Sequence, residues 1–194
     1  MPCYIDYELP FKYFVLFACC MFSLSDARQL TLDPITAHRK LKLSDNNREV
    51  RAVMEEQKYP DHPHRFAHWP QLLCETGLTG RCYWEVEYEG RVDIAVTYRH
   101  IRRKGNSDDC RFGRNNQSWN IPPPTITSSP SNRVGVYVDC PAGRLSFYRV
   151  SSDKLIHLHT IETKFTEHLY PGFGLRPESS VFLCSLSEEE SPPV

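Results

Sequence analysis

Residues 80–98, GRCYWEVEYEGRVDIAVTY, hold two alternating runs joined at Glu89-Gly90, and that alternation restricts the chain more than any other stretch. In the first run Cys82, Trp84, Val86 and Tyr88 fall on one side of a period-2 strand, with Tyr83, Glu85 and Glu87 on the other. Val92, Ile94, Val96 and Tyr98 repeat the pattern in the second run. An acidic residue and a glycine between two such runs suit a tight turn. The stretch therefore predicts an antiparallel β-hairpin, with one dry and one wet face, inside an all-β domain.

The remainder of the chain extends this reading. Its 194 residues suffice for one sizeable core, and fifteen prolines against nine glycines with 12 % aromatics fit a loop-rich β protein. QLTLDP, KLKLS and REVRAV, from Gln29 onward, read as short strands, with a polar DNN turn between the last two. Residues 57–70 carry three prolines and three histidines and predict a surface connection into the strand QLLCETGL. Beyond Tyr98 the chain is charged and rich in Gly and Asn, which predicts a long loop with short strands near 110–113 and 117–120. Four prolines in residues 121–131 bar a central strand there. RVGVYVD, RLSFYRV, LIHLHTI, LYPGFGL and SVFLCSL then bring the count to some ten to thirteen strands. Almost no stretch is helical, so the expected architecture is a two-sheet antiparallel β-sandwich.

Both ends differ from the middle. Residues 13–24, YFVLFACCMFSL, are apolar but too few to span a membrane. Asp6 and Glu8 offset Lys12, which predicts a flank or an extra buried strand; the alternative is a secretory signal with a mature chain starting near residues 26–28. Residues 1–27 are thus an N-terminal apolar flank, residues 28–186 the domain, and residues 187–194 an acidic disordered tail.

The chemistry of the residues points to binding rather than catalysis. The eight cysteines, at 3, 19, 20, 74, 82, 110, 140 and 184, show no C-x-x-C pair and read as reduced, mostly buried thiols. His62, His64 and His68 lack the accompanying Cys or carboxylate ligands of a zinc site, so no metal or other cofactor is expected. No G-x-S-x-G, phosphate loop or Cys–His pair is evident; Gly172-Phe173-Gly174 reads as a turn or bulge, and Glu85 and Glu87 as solubilising charges. Lys+Arg number 23 against 24 Asp+Glu, so no general affinity for nucleic acid or membrane is implied. Residues 99–119, by contrast, gather Arg99, His100, Arg102, Arg103, Lys104, Arg111 and Arg114 around Phe112 and Trp119. Arg and aromatics are the residue types that dominate protein interfaces, and an acidic or phosphorylated protein surface is the simplest complement.

These motifs together resemble a PRY-SPRY domain, of the kind that ends tripartite-motif ubiquitin ligases, butyrophilins and fish Nod-like receptors. Leu32-Asp33-Pro34 with Thr36-Ala37-His38 is similar to the opening of PRY, and Leu41-Lys42-Leu43-Ser44 to its next strand. Phe66-Ala67-His68-Trp69, then residues 80–87 with Trp84-Glu85-Val86-Glu87, resemble the start of SPRY. Residues 108–113, 136–139, 142–148 and 169–174 follow in the family's order. The resemblance divides the domain into residues 28–76 (PRY) and 77–186 (SPRY). It implies a bent sandwich of the SPRY, concanavalin-like jelly-roll type, with no catalytic residues, recognising a protein partner through variable loops. The implied setting is cytoplasmic, in innate immunity or ubiquitin-ligase targeting, as part of a larger protein. The candidate contact residues are Arg99, His100, Arg111, Phe112, Arg114 and Trp119. The alternative is a secreted, toxin-like SPRY protein, since fish pore-forming venom subunits share the pattern; Asn116-Gln117-Ser118 would then be a glycosylation acceptor. Between Trp119 and Val134 the family usually has room for another strand or two, and the short Pro-rich stretch here implies a reduced binding face and lower stability.

Overall fold

The computed structural model describes residues 23–121, 131–151 and 154–186. Eleven strands form two antiparallel sheets: β1 Leu41–Ser44, β2 Glu49–Ala52, β3 Gln71–Leu73, β4 Arg81–Glu89, β5 Val92–Tyr98, β6 Ser118–Asn120, β7 Arg133–Asp139, β8 Arg144–Val150, β9 Leu155–Glu162, β10 Leu169–Leu175 and β11 Ser180–Leu183. The larger sheet runs β1-β2-β11-β4-β7-β8-β9 and the smaller β3-β10-β5-β6. Among the described residues the remaining regular structure is two 3-10 turns, Leu24–Asp26 and Asp108–Cys110. The expected all-β, two-sheet sandwich is therefore present. The acidic tail, the apolar run up to residue 22 and the Pro-rich residues 122–130 lie outside the described residues.

The hairpin is not. β4 pairs with β11 and β7 in the large sheet, whereas β5 pairs with β10 and β6 in the small one. The chain crosses from one sheet to the other at Gly90, whose φ of 72° lies in the left-handed region and where a Cβ would stand 3.0 Å from the Glu178 carbonyl oxygen and from Ser179 Cβ. The two dry faces then meet across the interior instead of lying side by side. Trp84, Val86, Val136 and Phe147 from the large sheet share one core with Ile94, Val96, Leu169 and Phe173 from the small sheet.

The supposed wet face of β4 is also partly dry. Tyr83 and Tyr148 are buried together against Tyr137, Leu155 and Leu186. Glu85 is buried too, accepting hydrogen bonds from the Tyr83 hydroxyl at 2.6 Å and Arg133 Nε at 2.5 Å, while Glu87 stays exposed. Glu85 is thus a paired internal carboxylate, not a solubilising charge. Burial opposes the charge on Arg133, but Glu85 beside it outweighs that and raises the guanidinium. Ahead of the domain, Ala27 forms a parallel bridge with Tyr83 and the Arg28 amide donates to the Tyr83 carbonyl at 2.8 Å, so residues 27 and 28 run beside β4 where β11 has ended.

Two further expectations change. Gly172-Phe173-Gly174 is regular strand within β10: Phe173 enters the core, and the glycines leave the opposite face bare. Residues 110–113 form no strand, since Asp108–Cys110 is a 3-10 turn and Phe112 is buried beyond it.

Trp84 is 2 % exposed and its Nε1–H finds no hydrogen-bond partner among the described residues. Its contribution is then volume and apolar area. Trp84→Ala is expected to lower the unfolding free energy by about 3 to 5 kcal/mol, and Trp84→Phe by clearly less because no hydrogen bond is lost. Chemical denaturation of both variants checks this; equal losses would show that the indole nitrogen has a partner.

Candidate functional site

The small sheet has two faces, and the second determines the site. Val92, Ile94, Val96 and Tyr98 of β5 point into the main core, while Ala95 joins Phe66, Leu73, Ile101 and Phe112 in a second cluster on the outer side. The loop of residues 99–117 lies over that cluster. Phe112 fits because Gly172 has no side chain: a Cβ there would stand 2.9 Å from the Phe112 ring. Phe66 meets the same ring edge-to-face, with centroids 5.5 Å apart.

Polar ties complete the anchorage. Gln71 Nε2 donates to the Cys110 carbonyl at 2.5 Å, and its Oε1 accepts from the Phe112 amide at 3.3 Å. Asn115 Nδ2 donates to the carbonyls of Asp108 and Arg111, at 2.9 and 2.8 Å. The Gly113 amide donates to Ser118 Oγ at 2.9 Å, tying the loop to β6. A Cβ on Gly113 would lie 2.0 Å from Asn120, and its φ of 69° is left-handed, so glycine is required there.

Phe112 is 1 % exposed. It is an internal anchor of the loop and not a contact residue, a correction to the expected site. The other five candidates reach the surface in two groups. Trp119, on β6 opposite Val96, packs edge-to-face on Tyr98 at 5.3 Å and on Phe165 at 5.2 Å. His100 stacks on Tyr98, 6.0 Å between centroids, and its Nδ1 lies 3.0 Å from Glu167 Oε2. Tyr98 itself is held through its hydroxyl, which accepts from the Thr166 amide at 2.9 Å.

The second group is cationic, and two of its three members rest on rings. Arg99 lies over Tyr170 at 5.0 Å and 3.8 Å from Asp33 Oδ2; Arg111 lies over Trp69 at 4.8 Å. Arg114 is exposed, one turn beyond Arg111. Sequence reasoning did not single out Tyr98, Phe165, Glu167, Trp69 or Tyr170 as part of this surface. Of the histidines at 62, 64 and 68, His62 and His64 meet edge-to-face at 4.9 Å and the His64 amide donates to His62 Nδ1 at 3.2 Å, while His68 stands against Trp69.

Burial pushes the Cys74 thiol far up and those of Cys140 and Cys184 to about 11, so all three stay protonated at neutral pH and are poor nucleophiles. Cys74, Cys82, Cys110, Cys140 and Cys184 are free thiols. Among the described residues no three His, Cys, Asp or Glu side chains gather in a metal-holding arrangement, and no helix is long and apolar enough to cross a membrane.

Comparison with known proteins bears on this geometry. The SPRY-associated domain, PRY, matches residues 30–78 and the SPRY domain residues 81–186. The chain is 44 % identical to stonustoxin subunit beta of Synanceia horrida over 75 % of its own length and 23 % of that subunit. It is 36 % identical to tripartite motif-containing protein 16 of Mus musculus, over 88 % of this chain and 34 % of that one. Among solved structures, the crystal structure of the TRIM65 PSpry domain superposes with a TM-score of 0.74 at 23 % identity, covering 95 % of this chain and all of that one. The chain spans about a quarter to a third of the curated relatives' length.

The burial contrast between the two aromatics is measurable. Phe112→Ala is expected to cost about 3 to 5 kcal/mol of stability by emptying the second core. Trp119→Ala should cost on the order of 1 to 2 kcal/mol, the worth of two edge-to-face contacts. Denaturation midpoints in the reverse order would invalidate the assignment of Phe112 as anchor and Trp119 as surface.

Proposed function

This chain belongs to the PRY-SPRY family, and from that premise we propose that it is a non-catalytic recognition module. It binds a protein partner through Trp119, His100, Arg99, Arg111 and Arg114. The observation that carries the reading is the Trp119–Tyr98–His100 stack, a rigid aromatic group beside cations that are themselves fixed on rings. Large side chains already immobilised lose little entropy on binding, and aromatic and Arg residues are where interface energy concentrates. The reading takes the protein to act in the cytoplasm, in innate immunity or ubiquitin-ligase targeting, the setting the PRY-SPRY resemblance implies, and the 36 % identity to tripartite motif-containing protein 16 is in keeping with that family. Phe112 contributes by holding the loop in place.

A second reading has its own support in the 44 % identity to a stonustoxin subunit: a secreted, toxin-like protein. Asn116 is exposed, and Ser118, two residues on, completes the acceptor motif. Expression through the secretory route of animal cells separates the two. A glycan lost on Asn116→Gln favours the secreted protein; an unglycosylated product favours the first.

For the principal reading, proximity labelling or affinity capture should compare the wild type with Trp119→Ala and with a control, Met54→Ala, at a side chain 87 % exposed elsewhere on the surface. Specific partners should fall by about tenfold or more with Trp119→Ala and be unchanged with Met54→Ala. Partners retained in full by Trp119→Ala would overturn the proposed face.

A further inference from the structure

Beside the aromatic stack the loop carries a feature that protein recognition in general does not require. Pro63 and His64 form one wall of an open groove of about 690 Å³, and residues 99–104, RHIRRK, form the other. Ile101 is 1 % exposed and plugs into the second core, so the charged residues around it are displayed along the groove. The Ala67 amide, three residues beyond His64, donates to the Arg103 carbonyl at 3.0 Å and ties the segment that carries Pro63 and His64 to the loop.

The charges along this groove are unequally compensated. Arg99 has Asp33 at 3.8 Å, Arg102 has Asp109 at 3.5 Å and His100 has Glu167 at 3.0 Å. The Arg102 pair is about two-thirds exposed on both sides, where such a pair contributes little. Arg103 and Lys104 have no carboxylate within ion-pair distance among the described residues. Arg103 is also largely withdrawn from water: its guanidinium lies 4.3 Å over the Phe66 ring, Nη2 donates to the Arg99 carbonyl, and buried Nη1 has no partner. Burial, then Arg99, brings its pKa down to about 10, so it remains charged at neutral pH. Asp33 offsets this only in part, and a cation that is desolvated, without a carboxylate in ion-pair contact and short of one hydrogen-bond acceptor is costly for the free protein, so an anion that relieves it is favoured.

We propose that the groove of residues 99–104 is a subsite for an anionic side chain, phosphoryl or carboxylate, on an extended segment of the protein partner. Lys104 and Arg102 supply exposed cations at its rim. A rotation about the last bonds of Arg103 turns the unpartnered Nη1–H outward to complete the contact. The groove is too open to enclose a free small molecule, which is why the anion is assigned to a partner chain. This inference rests on the loop being a recognition surface, and it refines which ligand that surface selects.

The test uses three five-residue peptides, alike except for a central phosphoserine, aspartate or alanine, titrated into the purified protein while backbone amide shifts are followed by NMR. Saturable shifts at residue 64 and residues 99–104 are expected with the phosphoserine or the aspartate peptide and not with the alanine peptide. The anionic peptide that binds more tightly identifies the source. Arg103→Gln and Lys104→Gln should each weaken that binding by about tenfold, with Lys42→Gln, at an exposed position of β1 outside the groove, neutral. Lys104 is exposed, so its variant keeps the test decisive if Arg103→Gln perturbs folding. Equal shifts with the alanine peptide, no saturation with any peptide, or an equal loss in Lys42→Gln would overturn the proposal. The experiment needs no natural partner, so its failure is separate from retention of partners by Trp119→Ala, which would instead sink the recognition face.

Discussion

The contact on which the outer half of the molecule depends is the seating of Phe112 over Gly172. Without a Cβ on β10 at that point there is room for a ring, and the ring brings the loop of residues 99–117 down onto the small sheet. A loop of that length would otherwise keep most of its conformational entropy, and its side chains would have to be ordered anew with each binding event. Here the cost is met once, during folding, by apolar burial of Phe112, Ile101 and Cys110 and by the Gln71 and Asn115 hydrogen bonds. What reaches the surface is therefore already placed.

The same economy explains how the loop tolerates so many cations. Arg99, Arg103 and Arg111 each lie over an aromatic ring, Tyr170, Phe66 and Trp69, which come from β10 and from the connection into β3. Contact with a ring face offsets part of the mutual repulsion and fixes the direction of each guanidinium. The rings on which the arginines rest lie far from them in sequence. The loop alone therefore does not set the charge pattern of the surface; the sheet beneath it shares in doing so.

How far the sequence foretold this follows from what alternation can and cannot encode. Period-2 patterning identifies the inward face of a strand, and Trp84, Val86, Ile94 and Val96 are all inside as read. It does not identify the neighbour across the ladder. Two strands joined by Glu89-Gly90 show the same pattern whether they pair or face each other across a core, and the structure takes the second course. A hint lay in Ala95 and Thr97, residues on the other face of β5 that are too small or too apolar for a solvated surface and are both buried. Glu85 was misread for a related reason: its partner Arg133 lies 48 residues away, a relation that local spacing cannot express. In the candidate site the cations and Trp119 were legible as residue types. Phe165 and Glu167 were not, because they sit in an irregular segment and join the surface only through tertiary packing.

The two sheets consequently divide their work. The large sheet carries the extended ladders and the Glu85–Arg133 pair, in which buried Glu85 would be left as an uncompensated carboxylate if Arg133 were removed, while Arg133 also faces Glu87 at 3.5 Å. Its order is over-determined, and it can serve as a fixed base. The small sheet has only four strands, yet it presents core on one face and an anchored loop on the other. Every residue of the proposed surface is attached to that small sheet or to a segment flanking it, with Trp119 on its β6 edge strand. Variation in the loop can then alter charge and shape while the Phe112–Gly172 contact and the large sheet remain unchanged, and this separation of anchor from display is what suits the fold to recognition.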